Sequence, residues 1–265
     1  MIDPRASARL LALVRVGPFR LALAAEAVLE VARVHPGQKL RGLEPTSLLR
    51  VLGEPELTPG EWAIAVQGRT LQAYQVDAVE GIRERGQAAL YHLPSGVGVE
   101  PESLFRGAFS LDGALALEVL PESLEELQPL PERPLPPMRF ATDPASKALV
   151  FTSAGRSLAF ALPQVMSVVA KPVICPVPRA GPGICGVVEH AQMLYPVVDL
   201  GALYFGRPST AELGVLVEQD GRPFLVLADA VRGVHEGFRS VAGTEPGWLE
   251  GEKGERALFP RLEGG

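Results

Sequence analysis

The sequence has little of what metal, nucleic-acid or membrane functions require. Only two cysteines, Cys175 and Cys185, occur in 265 residues, and the four histidines, His35, His92, His190 and His235, are scattered. That supply is too thin and too dispersed for a zinc site, so no metal or other cofactor is expected. The two thiols read as ordinary reduced cysteines. No block of Lys and Arg appears, and the formal net charge is -6. Phosphate neutralisation supplies most nucleic-acid affinity, so a nucleic-acid partner is not expected. Aromatic residues make up 6% of the chain, which leaves few platforms for stacking bases. Near the N-terminus "RLLALVRVGPFRLALAAEAVLEVARV" is apolar, but Arg15 and Arg20 interrupt it. A membrane helix needs about 20 apolar residues in succession. The uninterrupted part is also too short for a secretory signal, and no small-residue cleavage site follows. These features predict a cytoplasmic protein without direct membrane insertion.

What is abundant is punctuation. With 28 glycines and 25 prolines, the chain is cut into short segments that suit strands and turns better than long helices. The segments repeat. "VDAVEGI" (76–82) returns as "ADAVRGV" (228–234), each after a hairpin. In the first, "WAIAV" turns at Gln67-Gly68 into "TLQAYQVDAV"; in the second, "LGVLVEQ" turns at Asp220-Gly221 into "PFLVLADAV". Both turns end in glycine, which tolerates positive φ. Upstream, "LALVRVGPFRLALAAEAVLEV" (11–31) resembles "ALVFTSAGRSLAFALPQVMSVV" (148–169), with Leu21, Ala22, Ala24, Val28 and Val31 facing Leu158, Ala159, Ala161, Val165 and Val168 at one offset. A further hairpin, "FRGAFSLDGALALEVL", turns at Asp112-Gly113. In it Leu115, Leu117 and Val119 alternate with small or polar residues, the period of a half-buried strand. "PESLEEL" then predicts a short helix with Pro121 in its first turn. The second copy closes more weakly, with "WLEGEKGERALFPRL".

Between the copies lies "QPLPERPLPPMRF", with five prolines in thirteen residues, a stiff extended spacer. The expected organisation is therefore a first module over 1–127, a Pro-rich linker over 128–140 and a second module over 141–265, both mostly β.

"GPGICG" (181–186) has the glycine spacing of a dinucleotide loop. An α/β nucleotide- or small-ligand-binding enzyme using Gly181 to Gly186 is the alternative reading. Such a loop needs a buried strand before it and a helix after it. Here Pro176, Pro178 and Pro182 break the approach, and paired hairpins flank it. "GVVEHAQMLYPVVDL" reads instead as two short strands joined near Ala191-Gln192. No nucleophile motif surrounds His190, and Asp77 and Asp229 sit in separate repeats rather than one cleft, so no catalytic residue is expected. Each Asp reads as a strand-end residue bonding nearby backbone. Trp62 and Trp248 read as packing residues.

The order Gly186, Pro196, Val197, Asp199, Leu200, Gly206, Asp229, Val231 and Val234 resembles the CheW-like domain, the adaptor module of bacterial chemotaxis systems. In the first module Asp77, Val79 and Ile82 match the last element, and "LEPTSLLRVLGEP" is a faded Pro-Val-x-Asp-Leu stretch. The resemblance implies tandem CheW-like modules, the first degenerate. Each would be built of two small five-stranded β-barrels with a few short helices and would have no catalysis. It implies a signalling adaptor that binds the regulatory region of a CheA-type histidine kinase, the cytoplasmic tip of a chemoreceptor or other CheW-like proteins, recruited to receptor arrays. The family's Asn-x-Arg-Gly element falls on Glu189, His190, Ala191 and Gln192, and the first module is expected to lack it. With Met193 and Tyr195 these residues form the expected partner surface. Asp77, Gly186, Pro196, Asp199, Gly206 and Asp229 are the expected structural positions.

Overall fold

The computed structural model describes residues 10–35, 37–55, 60–86, 89–98, 103–127, 139–140, 145–240 and 248–261. Most of the Pro-rich spacer, residues 128–138, lies outside them. The chain divides into two compact units, one comprising 1–131 and 175–180, the other 132–174 and 181–265.

In the first unit, β1 (Leu10–Val16), β2 (Phe19–Ala24) and β3 (Val28–Arg33) are followed by the two-residue β4 (Thr46–Ser47) and a single-turn helix α1 (Leu48–Val51). Next come β5 (Trp62–Gln67), β6 (Leu71–Val76), β7 (Ala78–Glu84), β8 (Phe105–Leu111) and β9 (Ala114–Val119), then helix α2 (Pro121–Leu124). One sheet has the order β7-β1-β2-β9-β8 and the other β3-β5-β6-β4. In the second unit, β10 (Arg139–Phe140), β11 (Ala145–Ser153), β12 (Arg156–Ala161) and β13 (Val165–Ala170) precede β14 (Ile174–Cys175), whose Cys175 falls in the first unit, and then β15 (Ile184–His190) and β16 (Met193–Val198) lead into helix α3 (Leu200–Phe205). The chain continues through β17 (Leu213–Gln219), β18 (Arg222–Ala228), β19 (Ala230–Ser240), β20 (Trp248–Glu250), β21 (Arg256–Leu258) and β22 (Pro260–Arg261). Strands β11-β12-β21-β20-β19 close into a barrel, and a second sheet runs β13-β17-β18-β16-β15, with β14 beyond β15. The fold is thus mostly β with short helices.

The two units repeat one another down to the register. Leu11 pairs with Ala24 in β1–β2, and Ala148 with Ala161 in β11–β12. In β1–β7 the ladder slips between Leu13, opposite Gly81, and Val14, opposite Val79; in β11–β19 it slips between Val150, opposite Gly233, and Phe151, opposite Val231. The bulge requires a left-handed residue, and Gly81 and Gly233 supply it at φ 107° and 114°. A second bulge recurs between Val28 and Glu30 on β3 and between Val165 and Ser167 on β13. The parallel closures match as well: Leu21 lies beside Leu117, and Leu158 beside Leu258. The weakly patterned C-terminal stretch therefore forms a real hairpin, β20–β21, that completes the barrel.

Gly186 is a buried residue inside β15, at a bulge, in line with the two-strand reading of this stretch, and the alternative α/β reading of the glycine loop is excluded by the fold. Two expectations are corrected. Gly221 takes positive φ at 75°, but Gly68 does not. A side chain at Gly68 would instead meet Glu125 Oε1 at 2.5 Å and the Pro121 carbonyl at 3.1 Å, so close approach is what that position demands. Finally, β9 is buried along both faces from Leu115 to Val119, including Glu118, and is not half-buried.

The core of the second unit stacks Phe151 on Phe160 at 5.7 Å, with Phe224 edge-on to Phe160 at 6.5 Å. Leu11, Leu13, Ala22, Phe109 and Ala116 form a core cluster in the first unit. Among the described residues no helix is long and apolar enough to cross a membrane.

Candidate partner-binding site

Strands β15 and β16 pair from Ile184–Val198 to His190–Met193, and Ala191 and Gln192 form the connecting turn. Both turn residues have positive φ, 50° and 62°. This is the left-handed pair that a two-residue hairpin needs, filled here without glycine. Ala and Gln pay a steric penalty in that region. Replacing the pair by Asn-Gly (Ala191→Asn with Gln192→Gly) is expected to stabilise the second unit by about 1 kcal/mol. A thermal or urea melt that shows no gain would show that the turn is not held in this conformation.

Ala191, Gln192 and Met193 are exposed, Met193 at 53%. Glu189 and His190 are half-buried, and His190 Nε2 lies 3.4 Å from Ser167 Oγ on β13, linking the hairpin end to the far strand of its own sheet. Tyr195 departs from expectation. Beyond Met193 at its exposed end, β16 is buried on both faces; Tyr195 is 4% exposed and packs with Val188, Val197, Leu216, Leu225 and Leu227. Its hydroxyl donates toward Met193 Sδ at 3.8 Å, so Tyr195 supports Met193 from beneath the surface.

The motif residues hold this hairpin in place. Pro196 is buried in β16. Asp199 caps α3, accepting from the Gly201 and Ala202 N–H groups at 2.9 and 3.1 Å, and also from Ser209 N–H at 3.1 Å. One carboxylate thereby ties both ends of α3, and Gly206 ends the helix at φ 67°. Asp229 accepts from Thr210 N–H at 2.7 Å and Gly155 N–H at 3.3 Å. In the first unit Asp77 accepts from Gly17 N–H at 2.6 Å. In both repeats this Asp therefore fastens the turn of the unit's first hairpin. Among the described residues no group of three or more His, Cys, Asp or Glu is placed to hold a metal.

The first unit also contains a residue pair that motif reading passed over. Leu40 and Leu43 form an antiparallel bridge around Arg41 and Gly42, at φ 48° and 84°. This is the counterpart of the Ala191-Gln192 turn, and here it carries Arg-Gly. The faded stretch behind it keeps its geometry: Ser47 caps α1 by accepting from Arg50 N–H at 3.4 Å, as Asp199 caps α3. The "LRGLEP" string signals it, but a one-residue shortening before Pro45 displaces it from the family spacing. Arg41 Nη2 donates to the Leu29 carbonyl at 3.3 Å, and its Nε lies 3.4 Å from Glu30 Oε2.

The two units share one ladder pattern, and the second carries an exposed turn at the end of its β15–β16 hairpin. Residues 147–243 match the family model of the CheW-like domain. Among solved structures, the chain is similar to the scaffolding protein TtCheW from Thermoanaerobacter tengcongensis. That match has 20% identity and a TM-score of 0.34, and covers 44% of this chain and 90% of that one. No curated protein matches the chain.

Proposed function

We propose that the chain is a non-enzymatic, cytoplasmic adaptor of a chemotaxis- or motility-type signalling system, and that it binds the regulatory domain of a CheA-type histidine kinase. The observation that carries this reading is the CheW-like match over 147–243, in the half of the chain where the closed barrel and the exposed Ala191–Met193 turn lie. Modules 1–127 and 141–265 are read as tandem copies, the first degenerate, joined by the Pro-rich segment 128–140. The equal registers and equal bulges of the two units support that pairing. Glu189, His190, Ala191, Gln192 and Met193 form the proposed contact surface of the second module. An adaptor of this kind acts by binding one conformation of a kinase assembly more tightly than another and so shifting its population. Two modules on one chain raise the effective concentration of one partner near the other. Recruitment to receptor arrays would follow from such contacts. The Ala191-Gln192 turn presents no guanidinium, so the Arg-Gly turn at Arg41 is the candidate for any receptor contact.

Calorimetric titration of the full chain with the regulatory domain of a CheA-type kinase from the same organism tests the proposal. The expected dissociation constant is about 1–10 μM. An absence of heat at about 100 μM of each protein would overturn the adaptor reading.

A further inference from the structure

Met193 stands at the exposed end of β16, beside the Ala191-Gln192 turn. Two residues on, and so on the same face of the strand, lies the buried Tyr195. Its hydroxyl donates to Met193 Sδ at 3.8 Å, and among the described residues that sulfur is its one hydrogen-bond partner. A buried phenol normally holds a good acceptor, and a thioether is a weak one. The donor is therefore fixed by the core, aimed at the sulfur and poorly satisfied.

Oxidation of that sulfur supplies the missing acceptor. A peroxide reaching Met193 from solvent is attacked by a sulfur lone pair. The S–O bond forms and the O–O bond breaks. The departing hydroxide takes the proton of the transferred oxygen and leaves as water. An electron pair has then passed from sulfur to the peroxide, and the thioether has become a sulfoxide. Its oxygen accepts far better than sulfur does, and rotation about the Cγ–Sδ bond carries it toward the Tyr195 hydroxyl. Met166 on β13 gives the comparison. It is 50% exposed against 53% for Met193, but among the described residues no donor is aimed at its sulfur. Exposure makes both methionines reactive, and only at Met193 is a buried donor waiting for the product.

We propose that Met193 is a reversible oxidation site whose sulfoxide is held by the Tyr195 hydroxyl, and that it forms a redox switch on the second module's contact surface. Oxidation turns an adaptable apolar side chain into a polar one. The surface changes its chemistry while the strand beneath keeps its packing. A methionine sulfoxide reductase, with a thiol as reductant, removes the oxygen as water and restores the thioether. The effect on partner binding rests on the adaptor reading, and the oxidation site itself does not.

The experiment treats the full chain with hydrogen peroxide until peptide mass mapping shows Met166 oxidised, then removes the peroxide. Met193 is expected to be oxidised too. Thermal melts read from Trp248 in a Trp62→Phe background compare reduced and oxidised protein, with Tyr195 present and as Tyr195→Phe. The change in midpoint on oxidation is expected to be more favourable with Tyr195 present by about 3 °C. Oxidation at other methionines is common to both chains and cancels. A second measurement keeps Tyr195. Its 13Cζ resonance is expected to shift on oxidation of the Met166→Leu chain and to stay in place on treatment of the Met193→Leu chain. Met193 left intact while Met166 reacts, equal midpoint changes with and without the hydroxyl, or an unmoved resonance would each overturn the site. Calorimetry with the CheA-type regulatory domain reads the switch: the oxidised chain is expected to bind about tenfold more weakly than the reduced one. In Met193→Leu, peroxide is expected to change the affinity by less than about twofold. Equal affinity of the oxidised and reduced native chains would overturn the switch. No binding by the reduced chain would overturn the adaptor reading, and with it the switch, while the melts and the resonance still decide the site.

Discussion

Glu118→Ala is expected to destabilise the first unit by about 3 kcal/mol. Glu118 is 3% exposed on β9 and lies between two arginines: Arg106 Nη1 is 3.3 Å from Oε1 and Arg85 Nη1 is 3.5 Å from Oε2. Arg85 also stacks over Phe109, 5.9 Å from the ring centroid. Truncating the acid leaves Arg85, whose side chain is 12% exposed, in a poorly hydrated site without its carboxylate. Breaking one side of a buried ion pair typically costs about 3–5 kcal/mol, and the lower end applies because Arg106 is 27% exposed and reaches water. Glu118→Gln keeps the shape and loses the charge, so a cost of about 2 kcal/mol is expected. The chain provides its own probes, since Trp62 and Trp248 are its two tryptophans and each lies in a different unit. In a Trp248→Phe background, Trp62 emission follows the first unit, and a loss of about 3 kcal/mol moves the urea midpoint by about 1–2 M. A midpoint that does not move would show that the two arginines do not depend on this acid.

The second large effect is expected at Asp199. Asp199→Ala removes the acceptor for three backbone N–H groups in a site only 7% exposed. Loss of a helix cap costs about 1 kcal/mol, and loss of a charge-assisted bond to Ser209 adds about 1.5–3. The expected total is about 2–4 kcal/mol, read from Trp248 in a Trp62→Phe background. Asp199→Asn separates the two contributions. Its remaining oxygen can still cap α3 and keep the longer contact from Ser209 N–H at 3.3 Å, but its amide nitrogen cannot accept the 3.1 Å one and the charge is lost, so it is expected to fall midway. If Asn costs as much as Ala, the capping role is wrong.

These two acids show what was legible in the sequence. Asp199 belongs to a spaced motif, and an Asp before a short apolar run is a helix-cap signal that needs no structure. Most hairpins were readable for a similar reason: period-2 apolar alternation and Gly-containing turns are local properties, and the common offset between Leu21 and Leu158 shows that the pattern occurs twice. Glu118 was not readable. Alternation in "ALALEVL" places it outward, and only the approach of Arg106 from β8 and of Arg85 just past the end of β7 makes an inward carboxylate tolerable. The same holds for Arg179, which sequence position assigns to the second half of the chain but which packs within the first unit. The burial of Tyr195 is not legible because β16 is covered on both faces beyond Met193, which alternation does not signal. The Arg41-Gly42 turn was passed over because a single bridge between Leu40 and Leu43 leaves almost no strand signal.

The duplicated register carries a hazard. Two hairpins that fit the same partner strand can exchange during folding, the characteristic failure of tandem repeats. The bulge discourages that exchange. In the first unit the extra residue is Glu80, bonded by Arg15 and Arg20 at 2.9 Å each. At the same place in the second unit stands Arg232. A β1–β2 hairpin laid against β19 would set Arg15 and Arg20 beside Arg232, three like charges where the native pairing has two cations around an acid. That repulsion rejects the wrong partner without altering the backbone fit. The bulge thus works as a one-way sorting tag: it rejects the first hairpin from the second unit, whereas the reverse exchange would bring the uncharged Thr152 and Ser157 to Glu80 and cost it both of its arginines.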